Sequence, residues 1–266
     1  MDESRQLIYG RVQDLLCEED GWGEAYVFRI GSYNNSVSSH FVLPYDPDTL
    51  AMICLSTPRM FEDSFRKWIV TQKMHDENLD NLAKRIPDPI QTFMVEKFDS
   101  LKNELSDYDP VVIHDFELLP NRRPKVLMCT CGHIAGAAYY YRPDVFEGDD
   151  ENCYCNDDVI KCRRPSQKRI GLSLHPKYGG HFAFRAIMIF PTVKLSPEFT
   201  EKQPKRTLND DKSVLQAIDL FNYHWRDGRF RDCGNPVEQY SQRQLDYFSK
   251  APADRWPVIA DWFMQA

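Results

Sequence analysis

The sequence lacks the short motifs that identify many enzymes. It contains no GxSxG nucleophile elbow, no HExxH zinc motif, no phosphate-binding P-loop and no GxGxxG dinucleotide fingerprint. A protein without a catalytic motif of its own often takes its chemistry from a cofactor. The motifs alone therefore predict no reaction, and they favour a protein that binds a reactive molecule.

The sequence also lacks an excess of positive charge and any long apolar run. A net charge of −7 argues against broad electrostatic binding to nucleic acid or to an anionic membrane surface. No apolar stretch approaches the ~18 residues of a membrane-spanning helix. The first ten residues, MDESRQLIYG, have no basic block followed by an apolar block, as a signal peptide would. We therefore expect a cytoplasmic protein whose eight cysteines are reduced thiols.

Hydrophobic periodicity and turn residues predict a mixed α+β chain. The Ser56–Thr57–Pro58 sequence predicts a side-chain N-cap for one of the helices, and KYGG predicts the turn of an antiparallel hairpin. The predicted helices cover residues 3–16, 58–72, 89–105 and most of 128–142, and the predicted strands cover 25–30, 50–55, 111–118, 169–176 and 181–190.

Composition divides the chain into three parts. Residues 1–194 are predicted to form the core, residues 195–212 a linker rich in proline and charge, and residues 213–266 a C-terminal cap with three tryptophans. Residues 146–158 carry six acidic residues and no basic one, which predicts a solvated loop.

The stretch MCTCGHIAGAAYYYR, residues 128–142, suits a metal site, a redox pair or the wall of a pocket. Both cysteine pairs, at 129/131 and 153/155, are C-x-C, whereas structural zinc sites usually place two to four residues between ligands. Residues two apart on a helix point in nearly opposite directions, which disfavours a shared ion. Thiol redox chemistry stays open, because Arg163 and Arg164 would lower the pKa of Cys162.

Several arginines stand beside aromatic or apolar residues, in FAFRA, RFRD and ADRW. A half-buried arginine needs an anionic partner, and its planar guanidinium suits a carboxylate bidentately. Pairing with Asp227 or Asp232 is the structural alternative to ligand binding.

Four blocks carry a family resemblance: PNRRPK, HIAGAAYYYR, HPKYGGHFAFR and FNYHWRD. In this order and spacing, from about residue 45 to 256, the chain resembles the vitamin B12 processing proteins of the methylmalonic aciduria and homocystinuria type C family. The resemblance implies a flavin-nitroreductase-like α+β core with a C-terminal helical cap. It implies base-off binding of cobalamin, glutathione-dependent removal of methyl or adenosyl groups, and reductive decyanation through FAD or FMN. It also implies a cobalamin-trafficking adaptor protein and a flavin reductase as partners.

The resemblance further implies site residues. The glutathione-binding arginines fall on Arg185, Arg231 and Arg255. The cobalamin-binding residues fall on Asp115, Val126, Leu127, Met128, Cys129, Tyr140, Tyr141, Arg142, Ser173 and Phe184.

The chain departs from the family pattern at several of these positions. Ser173 stands where a cysteine is expected, Arg142 where an uncharged amide is expected, and Gly228 where a tryptophan is expected. Cys129 and Cys131 replace uncharged residues and suggest redox thiols with a thiol oxidase side reaction. The acidic segment 146–167 is longer than the usual loop. A cobalamin chaperone without catalysis and a plain flavin reductase remain the alternatives.

Overall fold

The computed structural model describes residues 3–17, 21–143 and 169–264. The fold is α+β, with an antiparallel sheet flanked by helices, as the sequence predicts. The strands are β1 (Gly23–Arg29), β2 (Thr49–Ser56), β3 (Val111–His114), β4 (Tyr139–Tyr141), β5 (Leu172–Leu174) and β6 (Ala183–Lys194). The helices are α1 (Glu3–Leu16), α2 (Ile30–Asn34), α3 (Arg66–Thr71), α4 (Leu79–Arg85), α5 (Pro89–Glu104), α6 (Met128–Ile134), α7 (Asp211–Tyr223), α8 (Gln242–Ser249) and α9 (Trp256–Ile259). None of these helices is both long and apolar enough to cross a lipid bilayer.

The main sheet has four antiparallel strands in the order β1-β2-β6-β3. Every residue of the central strand β2 is buried, so both faces of the sheet are covered. On one face, Leu50, Met52 and Cys54 pack against α1, α5 and the C-terminal helices. On the other face, Ala51 and Ile53 pack against α2 and α6. The alternation of β2 side chains thus builds two apolar layers around one sheet.

Strand β6 contains a β-bulge at Arg185. Cys54 of β2 pairs with Ala186, and the next residue, Leu55, pairs with Phe184, so Arg185 is an extra residue without a partner on β2. Phe184 belongs to the α6 face of the sheet, whereas Ala186 belongs to the α5 face. A bulge re-aims the side chain of its extra residue. Because of the bulge, Arg185 has no partner on β2, and its side chain departs from the regular alternation of the strand at the end of the sheet.

A second sheet consists of β4 and β5, which pair antiparallel with Tyr140 opposite Ser173. The predicted hairpin around KYGG is wrong in its pairing, because β5 pairs with β4 whereas β6 enters the main sheet. The loop between β5 and β6 is nevertheless tight, since His175 and Gly179 exchange two backbone hydrogen bonds of 2.8 Å. The predicted helix over 128–142 is half correct. Helix α6 ends at Ile134, and the three tyrosines form β4.

Two further local predictions need correction. The strand predicted at 111–118 ends at His114, where the backbone turns and Glu117 accepts the His114 N–H at 2.9 Å. The predicted N-cap at Ser56 and Thr57 is absent, because both side chains bind other segments. Thr57 Oγ1 donates to the Gly21 carbonyl at 2.9 Å, and Ser56 Oγ accepts from Arg185 Nε at 2.8 Å.

Residues 195–210 contain no helix or strand and lie against the core. Leu195 is buried, and the Tyr141 hydroxyl accepts the backbone N–H groups of Thr207 and Leu208 at 2.9 and 2.8 Å. Helix α7 packs on β4 and β5, whereas Trp256 and Trp262 belong to the core beside the main sheet. The division into core, linker and cap stays a prediction.

We expect Tyr141→Phe to lower the free energy of unfolding by about 1–2 kcal/mol, because two half-buried backbone donors lose their acceptor. Urea unfolding followed by circular dichroism measures the change. Tyr108→Phe is the matched control, since the Tyr108 hydroxyl makes no hydrogen bond with any residue in the described ranges. Equal stabilities of the two variants would show that the Tyr141 hydroxyl does not hold the 195–210 segment.

Candidate functional site

The three predicted arginines line one cavity of about 320 Å³ at the end of the main sheet. Arg185 comes from the bulge in β6, Arg231 from a 3-10 turn after α7, and Arg255 from the turn before α9. They are far apart in the sequence and meet only in the fold. Aromatic and acidic side chains complete the wall of this arginine cavity, chiefly Phe116, Phe182, Tyr240, Phe248, Asp88 and Asp115.

Arg185 is a buried cation that forms no ion pair with a described residue. Its side chain is only 6% exposed, and its Nε donates to Ser56 Oγ. Its Nη2 is buried and has no hydrogen-bond partner in the part of the chain that the structure describes. The guanidinium lies 5.8 Å from the centre of the Phe248 ring. Because burial of an unpaired charge is costly, this donor predicts an anionic ligand in the cavity.

Arg231 is fixed by backbone and ring contacts. Its Nη1 donates to the Gly180 carbonyl at 2.5 Å, and its guanidinium lies between the rings of Phe230 and Tyr240, 4.7 and 4.9 Å from their centres. A Cβ on Gly180 would lie 2.8 Å from the Arg231 Cα, so this glycine permits the close approach of the two segments. Burial and the charge of Arg185 lower the pKa of Arg231, and both arginines line the same cavity.

Arg255 and the two acidic residues of the cavity, Asp88 and Asp115, already interact with other groups of the protein. Arg255 Nη1 lies 3.9 Å from Asp88 Oδ1, and Asp88 caps α5 by accepting the Gln91 N–H. Asp115 lines the cavity, and desolvation by the surrounding protein atoms raises its pKa. The charge of Arg185 makes this increase smaller. Three cations face two carboxylates, so the cavity favours an anion.

A second cavity, of about 610 Å³, adjoins the arginine cavity and shares Arg231 and Phe248 with it. Its other walls are largely aromatic and come from the end of α7 and the turn that follows, with Ile170 from the segment before β5. Trp225 is 43% exposed and forms part of this wall. The aromatic cavity is large enough for a flat organic group, and Arg231 stands at its border with the arginine cavity.

The predicted cobalamin-binding residues surround α6 and differ in exposure. Val126, Tyr141 and Phe184 are buried, whereas Asp115 and Arg142 are exposed. The others are half-buried: Leu127, Met128, Cys129, Tyr140 and Ser173.

Contacts bring most of this set together. The Phe184 ring leaves no room for a Cβ on Gly132 of α6, and the His133 Nδ1 accepts the Tyr140 N–H at 3.1 Å. Asp115 lies apart from them, against Arg185, whose carbonyl accepts its N–H. The roles of these residues in cobalamin binding stay predictions. Gly132 allows the close packing of α6 against Phe184.

The surroundings of Cys129 and Cys131 weigh against the predicted redox role of these thiols, which stays a prediction. Burial raises the pKa of Cys129, and it raises the pKa of Cys131 well above its usual value. A protonated thiol is a weak nucleophile. Among the described residues, no group of three or more His, Cys, Asp or Glu side chains is arranged to hold a metal ion. Cys153, Cys155 and Cys162, like the segment 146–167, lie outside these residues.

Sequence reasoning missed the residues that position the arginines. Ser56 orients Arg185, and His181 donates to Asp232 at 2.9 Å next to Arg231. The aromatic rings of Tyr240 and Phe248 were also missed, because nothing local marks an aromatic residue that stacks on a distant arginine. The one local signal is the glycine pair of KYGG, which lies against the backbone of Arg231. From the sequence, this pair predicts only a hairpin turn.

Comparison with known proteins gives one family. The model of the methylmalonic aciduria and homocystinuria type C family matches residues 23–259. A curated Caenorhabditis elegans protein named MMACHC-like protein is 43% identical over 260 residues, which cover 94% of this chain and 92% of that protein. The human cyanocobalamin reductase / alkylcobalamin dealkylase is 32% identical over 250 residues, covering 94% of this chain and 79% of the human protein.

A solved structure agrees with the sequence comparisons. The crystal structure of a C. elegans B12-trafficking protein, CblC, described as a homologue of human MMACHC, superposes with a TM-score of 0.87. The two chains are 42% identical, and the match covers 97% of this chain and 96% of that one.

We expect Cys129 and Cys131 to react with iodoacetamide more slowly than the exposed Cys17 at pH 7.5. The protein shields Cys131 fully and Cys129 partly from the reagent, whereas Cys17 is exposed. Burial raises the pKa of all three thiols, so each rate should increase with pH. Peptide mass spectrometry of timed samples gives the rate at each cysteine. Alkylation of Cys129 faster than Cys17 would restore the redox interpretation of this pair.

Proposed function

Because this chain belongs to the methylmalonic aciduria and homocystinuria type C family, we propose that it is a cobalamin-processing enzyme, a cyanocobalamin reductase and alkylcobalamin dealkylase. It binds cobalamin base-off and removes the upper ligand of the cobalt. The observation that carries the proposal is the arginine cavity, where Nη2 of the buried Arg185 has no hydrogen-bond partner among the described residues.

Glutathione is the anion that we assign to the arginine cavity. The tripeptide carries two carboxylates, and arginine binds a carboxylate through two parallel N–H groups. Arg185 and Arg231 are held by Ser56 and by the Gly180 carbonyl, so few rotamers are lost on binding. Such preorganisation increases affinity and orients the thiol relative to the neighbouring cavity.

Dealkylation is a nucleophilic substitution at the carbon bound to cobalt. The glutathione sulfur forms a new bond to the methyl or adenosyl carbon, and the electron pair of the broken carbon–cobalt bond stays on the metal as cob(I)alamin. The products are a thioether and cob(I)alamin, in which the cobalt and not the corrin ring is reduced. The protein supplies position and exclusion of water rather than a nucleophile of its own. Neighbouring cations also favour the thiolate form of glutathione.

Reductive decyanation is the second proposed activity, with electrons from reduced FAD or FMN. The aromatic cavity offers flat walls at Phe221, Trp225 and Phe230 that suit an isoalloxazine ring. Flavin supplies electrons to cobalt when it is bound. The resemblance also implies a nitroreductase-like core, a flavin reductase and a cobalamin-trafficking adaptor as partners, and a cytoplasmic location.

The wall around α6 is proposed to hold the corrin. Gly132 makes room for the Phe184 ring against α6, and the half-buried Met128 and Cys129 at the start of α6 belong to the same wall. Tyr140 and Ser173 face each other across the β4–β5 pair and offer polar groups to the amide side chains of the corrin. A thiol oxidase side reaction would take its thiolate from glutathione, because burial keeps the Cys131 thiol protonated.

Arg185→Gln should lower the kcat/KM for glutathione in methylcobalamin dealkylation by about 10- to 100-fold, the value of one or two charge-assisted hydrogen bonds. Its effect on methylcobalamin affinity should be small. The assay follows the loss of the methyl–cobalt absorbance under anaerobic conditions. Arg243→Gln, which removes a half-buried arginine that is paired with Asp261 and lies outside the arginine cavity, is the charge-matched control.

The same assay separates enzyme from carrier. A wild-type protein that binds methylcobalamin and leaves it intact with glutathione would be a chaperone. A variant with unchanged kinetics would remove Arg185 from the glutathione site.

A further inference from the structure

A carboxylate on the edge strand β1 is bonded to the loop that supports the arginine cavity. Glu24 and Tyr26 are two residues apart on β1, so their side chains lie on the same face of the sheet. They contact His175 and Tyr178 of the β5–β6 loop, which covers residues 175–182. The proposed dealkylation step uses none of these four residues. We call them the Glu24 network.

Both carboxylate oxygens of Glu24 accept a hydrogen bond from a tyrosine. The Tyr26 hydroxyl donates to Oε2 at 2.6 Å, and the Tyr178 hydroxyl donates to Oε1. A hydrogen bond from a hydroxyl to an ionised carboxylate is stronger than one between two neutral groups. Because Glu24 belongs to the edge of the main sheet and Tyr178 to the loop, the carboxylate joins the loop to the sheet.

His175 completes the network as a neutral ring. Its Nδ1 accepts the backbone N–H groups of Lys177 and Tyr178 at 3.1 and 3.3 Å, so the ring proton is on Nε2. This Nε2–H donates to the Tyr26 hydroxyl at 3.0 Å, which in turn donates to Glu24. Burial lowers the pKa of His175 to about 4, which keeps the ring neutral at pH 7. The hydrogen bonds therefore run in one direction, from His175 through Tyr26 to Glu24.

The same loop holds Arg231 of the arginine cavity through backbone groups. Gly180 donates its N–H to the Arg231 carbonyl at 2.8 Å, and its own carbonyl accepts from Arg231 Nη1 at 2.5 Å. The preceding residue, Gly179, exchanges two backbone hydrogen bonds with His175. One glycine thus binds both the main chain and the guanidinium of Arg231, directly after the residue that His175 fixes.

His175 also contacts the wall of the arginine cavity. Phe182 lines that cavity, and the centre of its ring lies 5.7 Å from the centre of the His175 ring. The rings of His175 and Tyr178 are stacked, with their centres 4.4 Å apart and an angle of 17° between their planes. A displacement of His175 would therefore affect both the aromatic wall and the carbonyl that holds Arg231.

We propose that Glu24 is a positioning residue for glutathione, an inference that rests on the proposed function. Glu24 fixes the β5–β6 loop through Tyr178 and His175. The loop in turn fixes the guanidinium of Arg231 against a carboxylate of the bound tripeptide. The carboxylate of Glu24 takes no part in the chemistry. Because a displacement of about 1 Å in a group that orients a substrate can lower a rate about 100-fold, support outside the cavity is enough to affect binding.

Binding of S-methylglutathione, which keeps both carboxylates and has no free thiol, tests the inference without a reaction. Glu24→Gln keeps the size of the side chain but turns an amide N–H toward one of the two hydroxyl donors. It should weaken S-methylglutathione binding about tenfold, measured by calorimetry with methylcobalamin present, and leave methylcobalamin affinity unchanged. In the dealkylation assay, the KM for glutathione should increase by the same factor while kcat stays the same.

A double-variant cycle separates the positioning role from a general loss of stability. If Glu24 acts through Arg231, adding Glu24→Gln to Arg231→Gln should weaken S-methylglutathione binding little further. Glu201→Gln is the matched control and should bind like the wild type. Glu201 also accepts two hydrogen bonds beside β1, from the Arg29 N–H at 3.1 Å and the Ser32 hydroxyl at 2.6 Å, but it joins a different segment to the sheet.

Three results would overturn the inference. They are an unchanged affinity of Glu24→Gln, an equal loss on the wild-type and Arg231→Gln backgrounds, and a parallel loss of methylcobalamin affinity. If Glu24→Gln does not fold, as judged by circular dichroism, Tyr178→Phe decides. This variant removes one hydroxyl and keeps the ring stack, and it should weaken S-methylglutathione binding about threefold.

The same measurements distinguish a failure of the proposed function. A wild-type protein that binds S-methylglutathione but leaves methylcobalamin intact with glutathione would overturn the proposed dealkylation, and the affinities of the variants would still decide the role of Glu24. A wild-type protein that binds no S-methylglutathione would overturn the glutathione site and the inference together.

Discussion

The buried charge of Arg185 is the constraint on which the candidate site depends. The sheet forms its regular ladder up to Ala186, and the bulge then inserts one residue that β2 does not pair. A bulge costs ladder hydrogen bonds, so a fold retains it where it re-aims a side chain. Here the re-aimed side chain is a cation, 6% exposed, whose Nη2 has no partner in the described chain. An anionic ligand explains both the bulge and the orphan donor.

The cavities follow from the way in which the C-terminal segments pack. Helix α7 covers the β4–β5 ribbon, while Trp256 and Trp262 join the core of the main sheet. The turn that carries Arg231 lies between these two attachments, on the glycines of the β5–β6 loop. The arginine cavity and the aromatic cavity therefore meet at this turn, where Arg231 lines both.

Local patterns in the sequence were enough for the regular elements. α1 and α5 begin and end within two residues of the prediction, and β1 and β2 agree similarly, because amphipathic periodicity and flanking turn residues are local signals. The partner of β5 could not be predicted, since strand pairing is a tertiary choice and KYGG suits either connection. The bulge at Arg185 had no local signal, because one inserted residue leaves the apolar run AFRAIMIF unchanged in composition. The family resemblance assigned the three arginines to glutathione binding. That they line one cavity is a property of the fold, which the sequence does not show.

An anaerobic visible spectrum of the protein with methylcobalamin, before and after glutathione, tests the central claim most directly. We predict a shift to the yellow base-off form on binding, followed by loss of the methyl–cobalt bands and formation of S-methylglutathione, detected by mass spectrometry. A spectrum that stays base-on, or a base-off complex that yields no S-methylglutathione, would contradict the account.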